Sequence, residues 1–113
     1  MDKNFNNNSE QVNINVKEKL VRDLIPNIIK KGNQIPNYRI ATNDEYENFL
    51  HEKLQEEILE FKKDKNIEEL ADILEVLDAI NNYYNFKQED ILNVKKLKAS
   101  KKGKFKNKII LTI

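Results

Sequence analysis

Residues Thr42–Tyr84, TNDEYENFLHEKLQEEILEFKKDKNIEELADILEVLDAINNYY, decide the fold class of this chain. Apolar side chains recur here at helical spacing on both sides of the short Asp64-Lys65-Asn66 break, which predicts two consecutive helices. The first starts at Thr42 or Asn43, where Thr42 and Glu45 have the spacing of a capping box, and runs to about Lys63. Asn66 with Glu69 repeats the N-x-x-E start, and apolar residues then continue to Tyr84.

Carboxylates fall among the apolar residues of both helices. On a helical wheel Tyr46, Leu50, Leu54, Ile58 and Phe61 form one stripe; Glu57 lies about 40° from its middle, and Glu60 projects at its edge one turn along. On the second helix the apolar residues cover an arc of roughly 240°, too wide for one neighbouring layer, so the chain is expected to form a homodimer or a dimer-based oligomer. Glu69 falls between Val76 and Ile80 on that wheel, and Asp72 next to Tyr83. A carboxylate among apolar groups is costly unless it is protonated, paired or bound to a cation. Hard divalent ions take oxygen ligands, and Mg²⁺ pairs a few carboxylates with phosphates and waters. The bland reading is that a chain with 35% charged residues places some glutamates beside an apolar stripe, with long side chains reaching to water.

Outward from this centre, Asp23 is placed to cap a short helix from about Leu24 to Lys31, with Pro26 tolerated in its first turn and Gly32 as its stop. Gln34–Thr42 reads as a connector. Asn85 with Gln88 signals a last helix to about Lys102, stopped by Gly103, and FKNKIILTI reads as a closing β segment. Residues 1–15 form the expected flexible N-terminal tail, with Val12–Val16 either a short strand or an extended lead-in, and residues 16–113 form one all-α domain, an antiparallel helical bundle.

Net charge is +1, but it is segregated: 13 acids against 4 lysines from Asp44 to Asp78, then 8 lysines and no acid from Lys95 to Lys108. The absence of cysteine excludes disulfides and thiolate metal sites. No apolar run approaches the roughly 18 residues of a membrane span, and the N-terminus has no apolar signal core. A cytoplasmic protein without a membrane partner is expected.

Glu56-Glu57-Ile58-Leu59-Glu60 followed by Glu69-Leu70-Ala71-Asp72 resembles the E-E-x-x-E … E-x-x-D signature of the MazG-like nucleoside triphosphate pyrophosphohydrolases. Lys19-Leu20-Val21-Arg22-Asp23 with Ile25-Pro26 resembles the opening of their small, single-domain house-cleaning branch. Lys101-Lys102-Gly103-Lys104-Phe105 resembles the basic closing segment of that branch. The likeness runs over roughly residues 17 to 111. Two departures stand out: 8 residues separate Glu60 from Glu69, fewer than in many larger members, and Lys104 stands where the branch often has a second glycine.

The resemblance implies an all-α bundle that hydrolyses a nucleoside triphosphate, ordinary or modified, to monophosphate and pyrophosphate. It implies Mg²⁺, with Mn²⁺ the alternative ion, on Glu57, Glu60, Glu69 and Asp72. Glu56 is the nearby acid suited to orient or deprotonate water. Lys101, Lys102 and Lys104 are candidates for binding outer phosphates. Arg22 suits either a phosphate or a carboxylate of the acidic helices. His51, Tyr38, Tyr83 and Tyr84 read as structural. Two other functions compete: a phosphoribosyl-ATP pyrophosphohydrolase, similar in fold and metal use, and a non-enzymatic helical adaptor whose lysines bind nucleic acid. The opening segment favours the house-cleaning branch over the first. No aromatic residue beyond Phe105 is interleaved with the lysines, which weighs against nucleic acid.

Overall fold

The computed structural model describes residues 17–113, so the expected N-terminal tail and the Val12–Val16 segment lie outside the described residues. The described chain is helical: α1 (Ile25–Lys31), α2 (Asn43–Lys63), α3 (Ile67–Tyr83) and α4 (Gln88–Lys102). Two compact units divide inside α2, between Gln55 and Glu56. No helix among the described residues is long and apolar enough to cross a membrane.

Local hydrogen bonds explain where the helices begin. At α2 the capping box is complete: the Thr42 N–H donates to Glu45 Oε2 at 2.8 Å and the Glu45 N–H to Thr42 Oγ1 at 3.4 Å. At α3 the Glu69 N–H donates to Asn66 Oδ1 at 2.9 Å. Asp23 does not cap α1. Leu24 occupies that place with no side-chain bond, and the Ile25 N–H closes a turn onto the Arg22 carbonyl at 3.1 Å.

Gly32 is the C-cap of α1 as expected, and an asparagine closes the turn after both α1 and α3. Gly32 keeps φ −85, and it is Asn33 at φ 64 that turns left-handed. The N–H groups of Asn33 and Gln34 donate to the carbonyls of Lys30 and Ile29. Asn85, at φ 60, does the same for α3: its N–H donates to the Asn82 carbonyl, and that of Phe86 to the Asn81 carbonyl at 2.9 Å. Both are Schellman closures, which favour Asn where Gly is absent because its short polar side chain tolerates this backbone region. Asn85 therefore stops α3 and does not start α4, whose N-cap is Lys87 without a side-chain bond. Gly103 does stop α4, at φ 83. The expected closing strand is absent: residues 108–113 carry no regular structure, since a lone segment has no neighbour to complete a ladder.

In the unit beginning at Glu56, the end of α2 and α3 form a hairpin joined by Asp64-Lys65-Asn66. The hairpin brings Glu60 near Glu69 and Glu57 near Glu69 and Asp72 across the connection. Among the described residues the buried apolar side chains are Leu50 and Val76 and the buried charged one is Glu57. The wide apolar arc of α3 thus splits in two. Val76 looks inward, with Ile73 and Ile80 half-buried beside it, while Ile67, Leu70, Leu74 and Leu77 remain exposed in a stripe about 80° wide.

Candidate metal centre

Five carboxylates gather at the α2–α3 hairpin in two overlapping groups of three. Glu57, Glu69 and Asp72 can each offer an oxygen within 4.8 Å of the other two, and so can Glu60, Asp64 and Glu69. Glu69 belongs to both. Glu57 is only 7% exposed, on the side of α2 that meets Glu69 and Asp72 of α3. Glu69 is half-buried on the facing side of α3, one turn before Asp72.

Burial is the first cause that pushes the Glu69 carboxyl above the usual carboxylate value, followed by the charges of Asp72, Glu60, Glu57 and Asp64. Both causes disfavour the same ionised form, and a cation would relieve both. The donor set is of the hard oxygen kind that divalent cations such as Mg²⁺ and Ca²⁺ take. Oxygen-only ligation equally excludes a preference for soft ions.

The four expected ligands therefore lie in the two groups rather than in one closed set: Glu57 with Asp72, Glu60 with Asp64, and Glu69 in both. Asp64 was missed because it reads as the residue ending α2. Its spacing of four from Glu60 carried the signal, and its N–H donates to the Glu60 carbonyl at 2.9 Å as the helix's last turn. Glu56 is half-buried and belongs to neither group. Lys101 and Lys102 are exposed in the last turn of α4, and Lys104 is exposed just past Gly103. Arg22 is exposed in the other unit, in the turn before α1. His51 is exposed on α2. Tyr83 meets Tyr84 edge-on at 5.0 Å, and Tyr84 stacks on Phe86 at 5.5 Å.

A second charged cluster escaped the sequence reading. Arg39 binds two carboxylates in bidentate fashion, donating from Nε and Nη2 to Glu18 at 3.0 and 3.1 Å and from Nη1 and Nη2 to Glu45 at 2.7 and 2.9 Å. The Glu45 carboxyl is held at about 2, first by these Arg39 donors and then by the Thr42 N–H. Glu18 is lowered by the same guanidinium. The cluster ties the lead-in to the start of α2.

No protein-family model, curated protein or solved structure matches the chain.

Proposed function

We propose that the protein is a Mg²⁺-dependent nucleoside triphosphate pyrophosphohydrolase of the MazG-like kind, acting as a homodimer. The single observation that carries the reading is the pair of carboxylate triads sharing Glu69 on the α2–α3 hairpin, which contain Glu57, Glu60, Glu69 and Asp72 of the E-E-x-x-E … E-x-x-D pattern together with Asp64. Glu57, Glu60, Asp64, Glu69 and Asp72 would hold the metal. When bound, the metal would neutralise charge on the phosphates of the substrate and lower the pKa of a coordinated water.

The chain's own residues supply the rest. Water adds across the anhydride between the α and β phosphates: a phosphorus–oxygen bond forms to the water oxygen, and the bridging bond breaks. Its electron pair leaves with one product as the other takes up the hydroxyl, giving monophosphate and pyrophosphate. Glu56 accepts the water's proton. Lys101, Lys102 and Lys104 bind outer phosphate oxygens as point charges. Exposure of the α3 stripe, with so few buried apolar residues, supports the homodimer.

The test is to incubate purified protein and Mg²⁺ with ordinary and modified nucleoside triphosphates and with phosphoribosyl-ATP, and to identify products. Monophosphate and pyrophosphate are expected. Release of inorganic phosphate with a diphosphate overturns the cleavage position, and no hydrolysis together with salt-dependent nucleic-acid binding favours the adaptor reading.

A further inference from the structure

The α3 stripe and the segment after α4 are two of the apolar surfaces exposed in the unit beginning at Glu56, where Leu59, Phe86, Leu92, Val94, Leu97 and Phe105 are exposed as well. Along α3, Ile67, Leu70, Leu74 and Leu77 recur at alternating spacings of three and four, the pattern of a seam made to be covered; Leu74 is 58% exposed. The second surface is the segment after α4, in which Ile109, Ile110 and Leu111 follow one another and Ile110 is 90% exposed. Gly103 at φ 83 and Lys108 at φ 58 adopt positive-φ backbone on either side of residues 104–107.

We infer that residues 108–113 of one chain lie along the α3 stripe of a second copy, exchanged in both directions. The homodimer proposed above is the premise; the hydrolase activity is not. Charge selects this occupant. α3 carries five acids and no base, whereas residues 101–108 carry five lysines and no acid. Asp78 borders the stripe and Glu75 lies beyond it, with no base on α3, so pairing α3 with its own copy brings like charges together. Seating the lysine-flanked segment on α3 sets opposite charges together and covers both apolar surfaces at once. Length agrees: six extended residues reach about 20 Å, and Ile67 to Leu77 rises about 15 Å along the helix. Reciprocal exchange closes as a two-fold dimer and leaves no open end for further addition.

The chain contains no cysteine, so introduced thiols report single contacts. Leu74→Cys chains are mixed with tagged Ile110→Cys chains, equilibrated and oxidised, with Ile109→Cys and Leu111→Cys run alongside to allow for register. A disulfide joining the two kinds of chain is expected from at least one pair. In full-length protein, Ile109→Asp/Ile110→Asp/Leu111→Asp is expected to weaken self-association about a hundredfold. Its circular dichroism should be unchanged, because these side chains are exposed in the single chain. Several results overturn the inference: Leu74→Cys cross-linking to itself, the Leu74→Cys/Ile110→Cys chain closing its disulfide internally, no mixed disulfide at any of the three positions, or unchanged association of the triple variant. A dimer that survives the triple variant sinks the segment exchange and leaves the homodimer standing, whereas a monomeric wild type sinks both. Pyrophosphate release, measured on the same samples, reports on the hydrolase reading separately.

Discussion

Replacing Glu69 with Gln preserves size and removes the one carboxylate common to both triads, so it tests the metal centre at its hinge. Two effects of opposite sign follow. In metal-free protein the Glu69 carboxyl lies above its usual value, through burial first and neighbouring carboxylates second. A carboxyl whose pKa rises on folding holds its proton more tightly in the folded state. Its stabilisation is complete below the unfolded value and is lost as pH rises through the folded value. At pH 7 the folded wild type therefore bears the full repulsion, and Glu69→Gln should melt at a higher temperature than wild type; toward pH 4 the difference should close.

With Mg²⁺ the order reverses. A ligand at ten times its Kd stabilises the folded state by about 1.4 kcal/mol, which raises Tm by roughly 6–11 °C in a domain of this size. Losing a charged ligand from both triads should weaken binding by about a hundredfold or more. At the same Mg²⁺ concentration the variant then gains less than about 0.1 kcal/mol, under about 1 °C. Thermal melts with Mg²⁺ or chelator between pH 4 and pH 8 read both effects. An unchanged Mg²⁺ shift in the variant, or a metal-free variant that melts below wild type at pH 7, would refute the reasoning.

Glu57→Gln and Asp72→Asn are expected to lower Mg²⁺-dependent pyrophosphate release by at least about a hundredfold while leaving the helical circular dichroism in place, and near-normal turnover would remove them from the ligand set. Lys101→Ala and Lys102→Ala should raise KM by about tenfold with little change in kcat, the signature of lost ground-state phosphate binding, which steady-state kinetics will resolve. Arg39→Met should flatten the acid side of the stability profile: Glu45, held at about 2, stabilises the fold above its unfolded value and loses that contribution as pH falls through its folded value. Melts from pH 5 to pH 2 should thus fall more steeply for wild type than for this variant. On α3, Val76→Ala should cost about 2 kcal/mol in chemical denaturation, because Val76 is buried. Leu74→Gln should leave monomer stability nearly unchanged and weaken the dimer.

What could be read from the sequence was what local spacing encodes. The Thr42–Glu45 and Asn66–Glu69 caps lie three residues apart and need no tertiary information, and the structure has both. Asn85 misled because Asn serves both ends of a helix: as an N-cap through its side-chain oxygen, and as a left-handed closing residue through its backbone. Only the backbone angle, φ 60, separates the two uses. Asp64 was hidden by a similar double meaning, turn residue or ligand. The Arg39 cluster was out of reach because Glu18 lies 21 residues away and no periodicity links them.

The wide arc of α3 signalled more apolar surface than one neighbour covers, but not which half faces inward. The hairpin decides that. Once Glu57 and Asp72 are brought together across the Asp64-Lys65-Asn66 turn, α3 presents Asp72, Val76 and Glu69 to α2, and Leu70, Leu74 and Leu77 rotate outward as a consequence. The same rotation that gathers carboxylates therefore uncovers the apolar seam, and the two unmet demands of α3, for positive charge and for apolar cover, lie on different faces of one helix. Demands on separate faces respond to separate changes. Mg²⁺ titration should leave the self-association constant within about twofold, and Ile109→Asp/Ile110→Asp/Leu111→Asp should leave the Mg²⁺-induced shift of the monomer's melting temperature intact. Sedimentation at several Mg²⁺ concentrations measures the first, and a melt at sub-dimer concentration measures the second. Strong coupling between metal and dimer would mean that the seam and the carboxylates share one face after all, which would contradict the hairpin register on which both readings depend.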